Sequence, residues 1–157
     1  MSLENAISML ARLDLFAGLA PVRLEVLAFT AERRVFEPGV ALFEEGTAGE
    51  DAYLILTGEA AMFGHAGSEQ ALAMRLLAGD FVGERALLGG DIRRSTVRAV
   101  TRLEVLRINR DLFLRLIGEF PEMGDVFSRA LRRRLGALAD DMKQLSKKLS
   151  APKTPGG

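Results

Sequence analysis

Between residues 33 and about 110 the chain is a series of short apolar runs, each stopped by a turn signal. This rhythm is what most limits its fold. The runs are Val40 to Phe43, Ala52 to Leu56, Leu72 to Leu77, Thr96 to Val100 and Leu103 to Ile108. The stops are Glu37-Pro38-Gly39, Glu45-Gly46-Thr47, Thr57-Gly58, Gly64, Gly67, Ala78-Gly79-Asp80 and Gly89-Gly90-Asp91. Strands that recur every ~8–12 residues between such turns predict an all-β sandwich or barrel. One stretch departs from the rhythm. Gly83 to Leu88 is rich in helix formers and predicts a short helix inserted between two strands.

The flanks follow a helical period instead. Leu3, Ile7, Leu10 and Leu13 share one helical face, and Leu24 and Leu27 share another. Asp14 to Gly18 reads as the break between two helices, and Pro21 suits the first turn of the second. After the β-rich zone, Asn109 or Asp111 can cap a helix through Leu112, Leu116 and Ile117, which Gly118 and Pro121 end. A long helix is expected from about residue 122 to Leu149, followed by a flexible tail at 151–157. The domain reading is therefore one domain over 1–150, with its barrel at about 33–110 and C-terminal helices at 111–149.

The long helix carries Leu131, Leu135, Leu138, Met142, Leu145 and Leu149 at alternating steps of four and three. Such a period suits a two-helix seam, hence a homodimer, or a stripe laid along the chain's own barrel. From Arg129 to Lys148 seven basic residues face two acidic ones, a net charge of +5. A solvated face accounts for this charge. No aromatic residues are interleaved to stack bases, so direct DNA binding is not expected.

Composition narrows the chemistry. The chain's 157 residues are 48% hydrophobic and 27% charged, which suits a globular domain. Twenty-one basic residues balance 21 acidic ones, so no overall field favours nucleic acid or a membrane. The absence of Cys excludes disulfides, thiolate metal sites and a cysteine nucleophile, and His65 is the only His. A lone turn histidine does not supply the two or three ligands of a jelly-roll metalloenzyme. No apolar run approaches the ~18 residues of a membrane span, and the N-terminus lacks a basic signal-peptide region. The expectation is a cytoplasmic protein that binds or regulates rather than catalyses, with no catalytic residues, no metal and no cofactor.

The segment from Gly79 to Val97 holds the binding chemistry. Gly83 allows positive φ or close backbone approach ahead of a helix start. The N–H groups around Arg85, Ala86 and Leu87 would then face an anion together with the helix dipole. Arg93 offers a planar fork for two oxygens of one phosphate. Glu84 beside a phosphate would be repulsive unless it met a donor, and a ribose hydroxyl is such a donor. Ala86, Ser95 and Thr96 are small enough to leave room. Phosphate donors plus a hydroxyl acceptor imply a nucleotide. The plainer reading is a helix cap followed by arginines at a solvated strand end.

These residues resemble the cyclic-nucleotide-binding domain of the catabolite-activator regulators, the protein kinase A regulatory subunits and the cyclic-nucleotide-gated channels. Gly83-Glu84-Arg85-Ala86-Leu87 and Arg93-Arg94-Ser95-Thr96-Val97 look like that family's phosphate-binding cassette. Pro38-Gly39 with Leu42-Phe43 and Glu45-Gly46, Tyr53 to Glu59, and Leu13 to Leu19 look like its early strands and helical start, so the likeness covers about residues 10–140. It implies a mostly β fold with flanking helices: an eight-stranded jelly-roll barrel, N-terminal helices and a long C-terminal helix acting as a lid or a dimer seam. It implies that Glu84 takes the ribose 2′-hydroxyl, that Arg93 pairs with the cyclic phosphate, and that the N–H groups of Ala86 and Leu87 complete the cradle. Two positions depart from the common pattern. Arg94 stands where many cGMP-preferring members carry Thr, which tilts the expectation to cAMP over cGMP, or it adds a phosphate contact of its own. Ser95 stands where Ala is frequent. On the lid, Arg133 or Arg134 either reaches the purine or is simply solvated.

The expected function is thus a cyclic-nucleotide-binding regulatory module for signal transduction, read out by movement of the C-terminal helix. With the sequence ending at Gly157, a stand-alone sensor acting on an unidentified effector protein is expected, though the chain could also be a fragment of a longer one. The alternative is a degenerate member that no longer binds nucleotide and serves as a protein-interaction scaffold. The presence of both Glu84 and Arg93 weighs against that alternative.

Overall fold

Ser2 starts the first helix by a cap. Its side-chain oxygen accepts from the Asn5 backbone N–H at 3.2 Å, and α1 then runs Leu3–Arg12. Pro21 opens α2, Pro21–Thr30, where its missing N–H costs nothing. Both helices match the positions expected from the apolar spacing. The computed structural model describes residues 2–64, 74–87, 91–130 and 132–133.

Strands occupy the middle of the chain: β1 (Glu32–Phe36), β2 (Ala41–Phe43), β3 (Ala48–Gly49), β4 (Asp51–Thr57), β5 (Ala60–Phe63), β6 (Met74–Leu76), β7 (Phe81–Val82), β8 (Asp91–Ile92), β9 (Thr96–Ala99) and β10 (Leu103–Asn109). They form two antiparallel four-stranded sheets, ordered β1-β10-β4-β7 and β2-β9-β5-β6, and a small β3-β8 ribbon.

Of the eight strands expected for a jelly roll, the two four-stranded sheets hold eight, and the β3-β8 ribbon adds two short ones; among the described residues no ladder joins the sheets into a closed barrel. Gly39 and Gly46, both at positive φ, sit at the turns on either side of β2.

Strand β4 explains how the layers stack. Successive side chains point to opposite faces, so its continuous apolar run serves two cores. Tyr53 and Ile55 face the interior between the sheets with Leu42, Ala60, Leu76, Val82, Val97, Ala99, Leu103 and Val105. Ala52, Leu54 and Leu56 face the helical side with Leu10, Leu15, Phe16 and Leu27. Strand β10 divides likewise, with Leu106 and Ile108 on the helical side.

Asn109 caps α3 (Arg110–Glu119), its side-chain oxygen accepting from the Asp111 N–H at 2.7 Å. A further helix, α4, occupies 121–130 and backbone at 132–133 is again helical. Phe127 packs on Phe113 with ring centroids 4.6 Å apart, which fastens α4 to α3. The heptad positions Leu131 and Leu135 to Leu149, Arg134, the tail at 151–157, His65 and the Gly89-Gly90 turn lie outside the described residues.

Candidate functional site

Arg93 follows directly on strand β8, and its backbone is fixed by two bonds across the ribbon. Its N–H donates to Thr47 O at 2.8 Å, and its carbonyl accepts from the Gly46 N–H at 2.8 Å. The side chain turns inward and is only 5% exposed. A buried cation must be compensated. Nη2 donates to the Asp51 carbonyl at 2.7 Å, and the guanidinium carbon lies 4.2 Å from the centroid of the Phe43 ring.

Two glycines make room for that guanidinium. A Cβ on Gly49 would collide with Nε, Cζ and Nη2 of Arg93. A Cβ on Gly83 would stand 2.7 Å from Nη1 and 2.9 Å from the Asp51 carbonyl, and Gly83 sits at φ +82°. Asp51 is itself held. Its carboxylate lies 3.1 Å from Arg107 Nε and accepts from Asn109 Nδ2 at 3.1 Å. Partial burial opposes the charge on Arg107, but Asp51 outweighs it and raises the Arg107 pKa. Burial first, and then the Asp51 charge, raise the pKa of the neighbouring Tyr53 hydroxyl.

A cavity of about 250 Å³ opens beside Arg93. Its wall comprises Phe43, Met62, Gly83, Glu84, Arg85, Arg93, Arg94 and Ser95. Six of the residues singled out from the sequence therefore meet around one space, although Glu84 and Arg93 are nine positions apart in the chain. Strand β7 brings Gly83 and Glu84 to it, pairing with β4 through Tyr53 and Val82.

The remaining candidates stand elsewhere. Ala86 and Leu87 are fully buried and do not line the cavity. Thr96 uses its hydroxyl oxygen to accept from the Glu45 N–H at 3.0 Å, which ties β9 to the turn after β2. The helix expected at Gly83 to Leu88 is a single 3₁₀ turn, Glu84–Leu87, whose Ala86 N–H donates to Gly83 O at 3.1 Å. One such turn aligns too few peptides for an appreciable macrodipole, so the fixed positive charge here comes from arginine. Arg133 lines a separate groove with Ala17, Gly18, Val126, Arg129 and Arg132.

Sequence reasoning missed Gly49, Asp51 and Met62. For Gly49 a signal existed, since a glycine in a strand region often marks close approach of another group. Asp51 and Met62 carried none, because their roles depend on pairing across the sheets.

The sequence matches the family model described as the cyclic nucleotide-binding domain over residues 33–120. It is 36% identical over 109 residues to the cAMP-dependent protein kinase regulatory subunit of Yarrowia lipolytica, covering 69% of this chain and 28% of that protein. It is 31% identical over 119 residues to a cGMP-dependent protein kinase of Caenorhabditis briggsae, covering 74% of this chain and 16% of that protein. The crystal structure of the Thermus thermophilus catabolite activator protein superposes with a TM-score of 0.72 at 29% identity, covering 85% of this chain and 63% of that one. The chain thus spans well under two thirds of these two curated relatives.

Proposed function

The chain belongs to the cyclic nucleotide-binding domain family, and from that premise we propose that it binds a cyclic nucleotide, cAMP in preference to cGMP, in the cavity beside Arg93. One observation carries this reading: a buried guanidinium and the Glu84 carboxylate share one small cavity. Arg93 takes the cyclic phosphate, since its planar fork matches two phosphate oxygens. Glu84 accepts from the ribose 2′-hydroxyl, with Gly83 and Ser95 leaving space at the sugar. Arg94 brings no hydroxyl to favour the guanine amino group, which is the basis of the cAMP preference.

The proposed role is regulatory. Leu87 ends the 3₁₀ turn and is fully buried in one apolar cluster with Phe113, Leu116, Met123 and Phe127. Phe81, two residues before Gly83, contacts the Phe16 ring at 5.9 Å, and Phe16 lies 6.4 Å from Phe127. A nucleotide that repositions this turn would therefore bias α4 and the chain that follows it, by as much as its affinity differs between the two arrangements. An effector protein, or a homodimer joined through the heptad stripe, would read the change.

Titration calorimetry with cAMP and cGMP on the wild type and on Arg93→Ala tests the assignment. Saturable binding with cAMP tighter is expected, together with a loss of about 1.5–3 kcal/mol in the variant, the range for hydrogen bonds to charged groups. Absence of binding by either nucleotide would favour the scaffold reading, and unchanged affinity in Arg93→Ala would remove Arg93 from the site.

A further inference from the structure

We propose that Met62 is a modification site: a hydroperoxide that enters the cavity while no nucleotide fills it converts the Met62 thioether to the sulfoxide, and the sulfoxide weakens nucleotide binding. The proposal rests on the reading that nucleotide occupies the cavity beside Arg93.

The chain has no Cys, so its six methionines carry all of its sulfur. Met9, Met62, Met74 and Met123 lie among the described residues, and of these four Met62 lines the cavity. Its strand sets the direction of the side chain. Residues two apart on a strand share a face, and Ala60 on β5 is fully buried in the interior between the sheets. Met62 follows on that face. It pairs with Val97, which is fully buried in the same interior, and packs against the same apolar cluster. Unlike Ala60 and Val97 it is only half-buried, because the cavity opens beside it.

A water's share of liquid volume is ~30 Å³, so a cavity of about 250 Å³ admits hydrogen peroxide, a molecule little larger than water. A sulfur lone pair attacks one peroxide oxygen and the O–O bond breaks. The sulfur gains an S–O bond and is oxidised by two electrons, while the peroxide is reduced and its other oxygen leaves as water. The product is polar where the thioether was apolar. Phe43 and Met62 are the apolar side chains of the wall, so oxidation replaces one of its two apolar contacts with a polar one. A sulfoxide oxygen accepts hydrogen bonds. A nucleotide closing over it either strips away its water or gives up to it a donor that the phosphate would use, and both lower affinity. A nucleotide already in place shields the thioether from peroxide.

The test treats the full chain with hydrogen peroxide, without and with saturating cAMP, and follows each methionine by peptide mass spectrometry. Met74, 60% exposed, should oxidise fast in both cases, and Met123, 2% exposed, slowly in both. Met62 should oxidise well ahead of Met123 without nucleotide and slow toward it with cAMP. Calorimetry then compares cAMP affinity before and after treatment, in the wild type and in Met62→Leu. The oxidised wild type should bind at least about fivefold more weakly, the low end of the cost of an unpaired buried acceptor. Methionine sulfoxide reductase with a dithiol should restore the lost affinity. Met62→Leu should show no such loss relative to its own untreated affinity, although its other methionines are oxidised alike. Oxidation of Met62 at one rate with and without cAMP overturns the proposal, as does an unchanged affinity after treatment or an equal loss in Met62→Leu. If untreated protein binds cAMP and responds to Arg93→Ala while any of these occurs, Met62 alone is misassigned. If untreated protein does not bind cAMP, the reading of the cavity fails and this proposal with it.

Discussion

Gly49 is a glycine because Arg93 occupies the space its side chain would fill: a Cβ there would run into Nε, Cζ and Nη2 of the guanidinium. The obstacle is the end of a side chain, not backbone, and Gly49 is not at positive φ. Gly49→Ala should therefore fold normally, with a melting temperature close to wild type, while Arg93 is driven from its seat over Phe43. Nucleotide affinity is expected to drop to within a few-fold of Arg93→Ala. Calorimetry beside thermal melting checks this, and wild-type affinity in Gly49→Ala would show that the seat is not needed for binding.

Glu84 is assigned the sugar hydroxyl, so its effect should appear only when that hydroxyl is present. The wild type is expected to prefer cAMP over 2′-deoxy-cAMP by about 10- to 100-fold, the range for a hydrogen bond to a charged acceptor. Glu84→Gln keeps an acceptor but loses the charge, and the preference should shrink to a few-fold. Measuring both ligands on both proteins isolates the pairwise contribution. An undiminished preference in Glu84→Gln would mean that another group holds the hydroxyl.

How much of this was legible in the sequence depended on how local each signal was. Pro21 and Asn109 announced their helices because a helix-start signal acts within a few residues, whereas the Ser2 cap of α1 went unread. Strands β4 and β10 were legible as apolar runs. Strand β1 was not, because Glu32-Arg33-Arg34-Val35-Phe36 is exposed along most of its length and pairs only with β10, an edge position that demands no apolar alternation. Glu84 and Arg93 were legible by residue type, yet the groups that seat Arg93 were not. Asp51 contributes a backbone carbonyl, which every residue possesses, and Gly49 contributes only an absence of atoms. Which strands pair into which sheet depends on contacts between residues far apart in the chain, and the turn glycines show only that a turn is permitted there.

Leu87 should matter to stability more than to contact with the ligand. It is fully buried among Phe113, Leu116 and Phe127 and does not line the cavity. Leu87→Ala removes buried methyl groups and leaves a void, which costs about 2–5 kcal/mol in comparable sites. Urea unfolding should show a lower midpoint at an unchanged slope. A cost below about 1 kcal/mol would indicate that the site relaxes freely and that Leu87 does not couple the turn to the helices.

Arg23 and Glu122 join the start of α2 to the start of α4, with Nε 2.6 Å from Oε1, and Arg23 also lies 3.8 Å from the Phe120 ring centroid. The Glu122 carboxyl is held below the usual carboxylate range, first by its own backbone N–H at the helix start and then by Arg23. A folded-state pKa that is depressed adds stability above the unfolded-state value, and this is lost as pH falls through the folded-state one. Wild type should therefore exceed Glu122→Gln in stability at neutral pH, and the two should converge as acid protonates Glu122 below the ordinary glutamate range. The pair is exposed, so added salt should narrow the neutral-pH gap as well. Chemical unfolding of both proteins from neutral pH into acid reads the effect. Curves that stay parallel throughout would show that the pair adds nothing to the joint between α2 and α4.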